Sequence, residues 1–323
     1  MLFRSELERI LRGLGFHNIV RTVDGEELSL GPNLRIAIHC ETSITDGPGG
    51  DSALVVSDGT GRLVNQNDCR THDLDALRAH GPVDLHWLQY SGAIWYPMVY
   101  EETPDRMREL IDAKVDSQFS RAMRYVETID GRAVVPSAGP PAFLDPDLFQ
   151  FNVIDGYEMS IFPDQRSFME RLAAAGRQGI LAVPGTAIEF GSSGEFSVTH
   201  PMPQAEVDDI FLHKREYLER YQADWLPWLE NMKADLRPAT PDLLDTVKAW
   251  WEPLMAMAPT VCDAVGAVCL FEAGDLPIAI DFPNRQVRRW EGEPYSFRFR
   301  VQRELVETVV AQRANDWSNA LFL

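Results

Sequence analysis

The chain has 323 residues, 45% of them hydrophobic and 24% charged, which is ordinary for a soluble globular protein with room for two domains. Its 49 acidic residues outnumber its 30 basic residues and give a formal net charge of −19, which argues against nucleic acid or an anionic membrane as a main partner. No apolar run reaches the roughly 20 residues that cross a bilayer. The charged amphipathic start does not resemble a signal peptide, and we expect a cytoplasmic protein.

The N-terminal part of the chain predicts one helix followed by short strands. Apolar residues at helical spacing indicate a helix that Gly15 ends. Strand-like runs follow at Phe16 to Val23, Glu27 to Leu30 and Leu34 to His39. The next loop, Cys40 to Gly50, is rich in glycine and proline, and we expect it to be exposed or functional.

The stretch from Asp51 to Tyr100 carries the clearest functional pattern. Two apolar strands in it end in polar loops, at Asn65 to Asp68 and at Gln89 to Gly92. Strands that finish in polar loops at one edge of an α/β sheet typically form a ligand site there, so we interpret this edge as the rim of an active site. The candidate substrate-binding residues, whose amide and hydroxyl groups could equally satisfy loop backbone, are Gln66, Asn67, Gln89 and Ser91.

The pattern changes after the middle of the chain. Thr103-Pro104 predicts the start of a long helix, and Ile180 to Val183 predicts a later strand. The proline-containing segment from Arg237 to Pro241 is the best linker candidate, and helix, strands and helix follow it. We therefore predict a first domain over residues 1–235 and a small α+β domain over residues 236–323.

Several segments together resemble one known group of proteins. These segments are GDSALVV, LVNQNDCR, DLHWLQYSGAIWYPMVY and the C-terminal run from WWEPLMA to DWSNALFL. They are similar to proteins related to CMP-N-acetylneuraminate hydroxylase, within the UlaG-like metallohydrolases. The resemblance covers nearly the whole chain. It implies an α/β fold of the metallo-β-lactamase type, an αββα sandwich, in residues 1–235. By analogy with other such proteins, the C-terminal domain would be sterol-carrier-like.

The sequence departs from that group at its metal motifs. The HxHxDH loop that supplies the first metal ligands is absent, and no HxH occurs anywhere. A Rieske iron–sulfur centre needs a CxH and a CxxH motif together, and no CxH occurs, so we expect no iron–sulfur ligands in this chain. These absences leave open whether the sandwich and its metal site are complete.

The resemblance points to Asp68 as the first candidate metal ligand, for Zn, Fe or Mn. The alternative for Asp68 is that it caps the helix beginning near His72. His39 and His72 are weaker candidate ligands, and a structural or surface role is the alternative for each. The Cys residues form no CxxC pair and are expected to be free thiols.

Two functions remain open from the sequence. One is a metal-dependent hydrolase, or, with an iron–sulfur (Rieske) redox partner, an oxygenase-type protein that acts on a small polar substrate. The other is a degenerate or truncated non-catalytic domain that serves as a binding or scaffold module. The sequence identifies no catalytic residue for either function.

Overall fold

A computed structural model describes residues 2–41, 50–92, 94–154, 159–191, 194–235 and 242–313. Most of the predicted Cys40–Gly50 loop and the predicted Arg237–Pro241 linker lie outside these residues. The chain forms two compact units, Met1–Gln222 and Ala223–Leu323. The domain limits expected from the sequence, 1–235 and 236–323, stay predictions.

The first unit is built on a six-stranded sheet with the order β1-β2-β3-β4-β5-β6. Its strands are β1 (Leu28–Ser29), β2 (Arg35–Cys40), β3 (Ser52–Ser57), β4 (Arg62–Asn67), β5 (Leu85–Gln89) and β6 (Ala133–Ser137). Strands β1 to β4 pair antiparallel, whereas β4, β5 and β6 pair parallel. The change of direction occurs where helices replace tight turns as connections, because parallel neighbours need a crossover.

Helices cover one face of this sheet. The helices of the first unit are α1 (Leu2–Gly13), α2 (Leu74–Arg78), α3 (Pro104–Ile129), α4 (Gln165–Ala174) and α5 (Gln204–Leu212). Leu88 and Val134 point to this face and are buried against Phe119 and Val126 of α3 and Phe168 of α4. Alternate strand residues point to opposite faces, so the neighbouring positions must be buried by something else.

A two-stranded hairpin packs on the opposite face. Strands β7 (Ala187–Phe190) and β8 (Phe196–Thr199) pair with each other, and the hairpin's Ile188 and Phe190 contact the cluster of Leu85, Ala133 and Val135. The first unit thus has helices, a mixed sheet and a hairpin as successive layers, and the expected mixed α/β class is confirmed.

The second unit is a small α+β structure. The long helix α6 (Lys214–Asp235) crosses the division, so that its part from Ala223 onward belongs to the second unit. The later elements of this unit are α7 (Leu243–Met257), α8 (Pro259–Val265), β9 (Val268–Ala273), β10 (Leu276–Asp281), β11 (Gln286–Arg289), β12 (Phe297–Val301) and α9 (Arg303–Gln312). Its sheet has the order β11-β10-β9-β12, with β12 parallel to β9. Val247, Phe271, Ile278 and Val306 belong to one continuous apolar core. The expected small C-terminal α+β structure is confirmed. No helix within the described ranges is long and apolar enough to cross a membrane.

Candidate functional site

One edge of the six-stranded sheet gathers the polar residues that the sequence singles out. The parallel strands β4, β5 and β6 all end at this edge, and β2 ends there too because β2 and β4 are both antiparallel to β3. His39, Asp68 and the segment from Gln89 to Gly92 therefore share this edge. This matches the general position of ligand sites in α/β sheets.

Asp68 does not cap the following helix. Asp73 caps α2 instead, since its carboxylate accepts a hydrogen bond from the Ala76 backbone N–H at 3.1 Å. Asp68 is half-buried, and its Oδ1 accepts a hydrogen bond from Asn67 Nδ2 at 2.9 Å. The alternative interpretation of Asp68 as a helix cap is therefore wrong, and its role as a metal ligand stays a prediction.

His39 lies against a second histidine that the sequence did not single out. The Nε2 atoms of His39 and His80 are 2.8 Å apart, and the rings meet edge to face. Glu27 Oε1 lies 3.2 Å from His80 Nδ1. With both rings neutral, His80 donates from Nδ1 to Glu27 and its Nε2 accepts the proton of His39 Nε2. Burial, and then the neighbouring His80, lower the pKa of His39, while Asp24 acts in the opposite direction.

This corner does not amount to a complete metal site. A catalytic zinc has three protein ligands and a structural zinc has four. In the part of the chain that the structure describes, no group of three or more His, Cys, Asp or Glu side chains could hold a metal ion. The two imidazoles with a carboxylate behind one of them resemble part of a ligand set. Because the set is incomplete, we assign no reaction step to a metal.

A CxxH spacing does occur at Cys69-Arg70-Thr71-His72, although its CxH counterpart is absent from the sequence. Cys69 is buried, and burial raises the pKa of its thiol to about 11. His72 is exposed. A Rieske centre needs both halves of the motif, and this half alone does not supply its ligands. This half-motif therefore gives no basis for an iron–sulfur site.

Gln66 is held inside the protein by both ends of its amide. Its Nε2 donates to the Cys69 carbonyl at 3.0 Å, and its Oε1 accepts from His86 Nε2 at 3.0 Å. Both Gln66 and His86 are fully buried, and burial lowers the pKa of His86 to about 3. The Gln66 amide thus fixes the loop after β4 from within.

The other predicted substrate-binding residues differ in exposure. Asn67 is exposed, Gln89 is half-buried and Ser91 is fully buried. Substrate binding by Gln66, Asn67, Gln89 and Ser91 stays a prediction. An exposed or half-buried amide can reach a ligand directly, whereas Ser91 needs a ligand or water that enters the protein.

Ser91 belongs to a buried polar cluster that also contains Gln118 of α3. The Ser91 hydroxyl and both amide atoms of Gln118 are buried without a hydrogen-bond partner among the described residues. A β-carbon at Gly92 would come within 2.3 Å of Gln118 Nε2, and one at Gly139 within 2.7 Å of Ser91 Oγ. The two glycines thus let these polar groups approach the backbone closely. Buried polar atoms are normally paired, so this cluster is suited to bind water or a polar ligand.

The partner of His39 could not be found from sequence spacing. His80 lies 41 residues from His39 in the chain, and no local motif connects them. Gln118 lies on the same stripe of α3 as the buried Ile111 and Ala122, so helical spacing was a signal for its burial. The sequence could not show that its amide meets the Gly92 backbone and has no hydrogen-bond partner among the described residues.

Comparison with known proteins adds a family for the C-terminal part. The family described as "Rv3818-like, SCP2-like domain" matches residues 243–323. This range covers the described part of the second unit from α7 onward. The match concerns the C-terminal part alone and leaves the first unit unassigned.

Full-length relatives match almost the whole chain. The chain is 39% identical over 327 residues to "Putative Rieske 2Fe-2S iron-sulfur protein Rv3818" of Mycobacterium tuberculosis, covering 98% of this chain and 63% of that protein. It is also 39% identical over 331 residues to a protein of Mycolicibacterium smegmatis with the same description, with the same coverage. The chain thus spans somewhat less than two thirds of the length of these relatives.

Solved structures show weaker similarity. A metallo hydrolase, Igni18 from Ignicoccus hospitalis, aligns over 61% of this chain and 67% of its own, with 15% identity and a TM-score of 0.35. A mutant of CmlA beta-hydroxylase aligns over 54% of this chain and 34% of its own, with 17% identity and a TM-score of 0.34. TM-scores in this range do not establish a common fold.

Proposed function

We propose that this chain is the substrate-binding part of a metal-dependent, iron–sulfur-associated protein of the hydrolase or oxygenase type. The observation that carries the proposal is the 39% identity, over 98% of this chain, to proteins named as Rieske 2Fe-2S iron–sulfur proteins. In this proposal a Rieske centre is the redox partner and is not formed by this chain. The names of these relatives favour this function over the alternative of a non-catalytic scaffold.

The residues of this chain would bind and orient a small polar substrate at the sheet edge. Asn67 and Gln89 offer amides at the rim, and Ser91 with Gln118 offers unpartnered polar groups behind it. A neutral polar lining of this kind recognises hydroxyl, amide or carboxyl groups without exchanging protons with them. This division of labour agrees with a chain that binds substrate while the redox chemistry lies elsewhere.

The proposal includes a metal of the Zn, Fe or Mn type bound by Asp68 and His39, with His72 as a further candidate. Glu27 contacts His80 as a carboxylate commonly orients a metal-binding histidine, and His80 lies against His39, so His80 adds a second imidazole to the His39 side of this site. The proposal also keeps the metallo-β-lactamase-like, UlaG-like ancestry and the cytoplasmic location expected from the sequence.

Metal content tests the proposal directly. The purified chain is loaded in turn with Zn²⁺, Fe²⁺ and Mn²⁺, desalted, and measured by inorganic mass spectrometry. We expect close to one equivalent of one metal, and loss of most of it in Asp68→Ala and in His39→Ala. His213→Ala is the matched control, because His213 is exposed and lies at the end of α5.

The outcomes separate the two functions. Retention of metal by the control and loss in both site variants supports the metal-dependent function. Absence of metal after every loading contradicts it for this chain and leaves the binding or scaffold module. Equal loss in the His213 variant shows that the metal is bound non-specifically, which also contradicts the proposed site.

A further inference from the structure

A basic cleft lies between the loop after β4 and helix α3. Its volume is about 480 Å³, which is within the range of small-molecule sites. The charged and aromatic residues that line it are Arg70, His72, Arg121, Arg124, Tyr125 and Glu127. The cleft thus presents three guanidinium groups and one acid among the lining residues described.

These cations are close enough to act on one another. Burial lowers the pKa of Lys114, and Arg121 and Arg70 lower it further. Arg121, Arg124 and Arg70 also oppose the rise that burial causes in the pKa of Tyr125. Four cations, Lys114, Arg70, Arg121 and Arg124, therefore make this region positively charged in a protein whose formal net charge is −19. Each of these cations attracts an anion placed in the cleft.

Two further polar residues of α3 share a stripe with Arg121 and Tyr125, which line the cleft. Lys114, Gln118, Arg121 and Tyr125 follow one another at spacings of four, three and four residues, which places them on one stripe of the helix. Gln118 on this stripe is 2% exposed, and its amide atoms have no hydrogen-bond partner in the described chain. The Gln118 amide lies against Gly92 and does not line the cleft, so the inference rests on the arginines that do.

We infer that this cleft binds a small multivalent anion that carries phosphate or clustered carboxylate groups. Planar guanidinium groups bind both kinds of oxyanion through paired hydrogen bonds, and the cleft takes Arg70 from the loop after β4 and Arg121 from α3. Tyr125 lines the cleft as well. The site needs neither a metal nor an iron–sulfur partner; because His72 lines the cleft and is also a candidate metal ligand, the test uses Arg121 and leaves His72 unchanged.

Calorimetric titration of the whole chain tests the site with defined probes. The probes are inorganic pyrophosphate, citrate and, as a monovalent reference, chloride. We expect saturable binding of pyrophosphate or citrate that weakens as sodium chloride is raised, since salt screens exposed charges. A preference for pyrophosphate identifies phosphate chemistry, and a preference for citrate identifies clustered carboxylates.

Variants on one helix distinguish the cleft from general charge. Arg121→Gln is expected to weaken binding roughly tenfold, the effect of one lost charge-assisted hydrogen-bond pair, and Arg121→Lys is expected to restore part of it. Arg108→Gln is the matched control, because Arg108 lies on α3, is exposed and does not line the cleft. Circular dichroism establishes that each variant is folded.

Two results would overturn the inference. One is the absence of saturable binding of either probe to the folded chain at low salt. The other is an equal loss of affinity in Arg108→Gln and Arg121→Gln, which would mean that the anion responds only to overall charge. Either result leaves the metal measurement unaffected, so the two proposals fail separately.

Discussion

Gln66 and Gln118 are both buried glutamines, but the hydrogen bonding of their side-chain amides differs. Gln66 is fully buried and uses both ends of its amide, toward Cys69 and His86. Gln118 is 2% exposed, and neither end of its amide has a partner among the residues described. The region around Gln66 is closed by its own hydrogen bonds, whereas the region around Gln118 is completed only by water or a ligand.

This difference distinguishes a polar residue that stabilises the fold from one that is available to bind water or a ligand. A buried amide that is fully paired stabilises one conformation of a loop, and removing it leaves its partners unsatisfied. A buried amide that is unpaired in the folded chain costs stability, and such sites are often functional. The sequence placed Gln66 and Ser91 in one rim and could not tell the paired side chain from the unpaired one.

The largest expected effect is that of Gln66→Leu. The substitution leaves the Cys69 carbonyl and the His86 N–H buried without partners, and we expect it to lower the free energy of unfolding by about 2–3 kcal/mol. Urea unfolding at neutral pH measures this change in the free energy of unfolding. A change below about 0.5 kcal/mol would show that the Gln66 hydrogen bonds do not stabilise this region.

Acidification is expected to have the next largest effect, through the histidine that pairs with Gln66. The pKa of His86 is about 3 in the folded protein, against 6.5 as its ordinary value, because burial disfavours the charged ring. The unfolded chain therefore binds the proton more readily between these values. His86 therefore does not lower the free energy of unfolding above pH 6.5, and it lowers it increasingly as the pH falls toward 3.

Between pH 7.5 and pH 5.0 we expect the free energy of unfolding to fall by about 2 kcal/mol, measured in urea. The pKa of His39 is also lowered, so His39 adds to the fall in the same direction. His86→Leu removes the main titrating group and should flatten the dependence on pH. An unfolding free energy that is equal at both pH values in the unsubstituted chain would contradict a neutral, buried His86.

The smallest expected effect is that of Gln118→Leu. No hydrogen bond is lost and an unpaired polar group is replaced by an apolar one, so we expect the free energy of unfolding to be unchanged or to rise by up to about 1 kcal/mol. Urea unfolding of Gln118→Leu and Gln66→Leu under the same conditions measures this, and the two variants form a matched pair. A loss of 2 kcal/mol or more would show that Gln118 is paired in solution, and the contrast between the two regions would fail.

Local signals in the sequence were sufficient for some elements. The start of α3 at Pro104 is confirmed, and Thr103 caps it by accepting a hydrogen bond from the Arg106 N–H. The polar ends of β4 and β5 do lie at a shared edge. These predictions depend on neighbours in sequence, where capping groups and alternation of apolar residues act directly.

Two predicted strands were wrong because they lack a strand partner, whereas Leu34 to His39 is confirmed as β2 and pairs with β3. Phe16 to Val23 is not a strand, and Phe16 and Val20 are more than half exposed, because no other strand pairs with this run in the described chain. Ile180 to Val183 is not a strand either, since this stretch joins β6 only through an isolated bridge between Gly179 and Val134. A β-strand exists only where a partner supplies its hydrogen bonds.

The sequence by itself determined the mixed α/β class, the long capped helix α3 and the presence of polar loops after buried strands. Only the tertiary structure paired His39 with His80, packed the Gln118 amide against Gly92 and brought Arg70 and Arg121 into one cleft. The physical reason is the range of the interactions. Helix capping and strand alternation act over a few residues, whereas hydrogen-bond satisfaction and charge clustering depend on groups that folding brings together from distant parts of the chain.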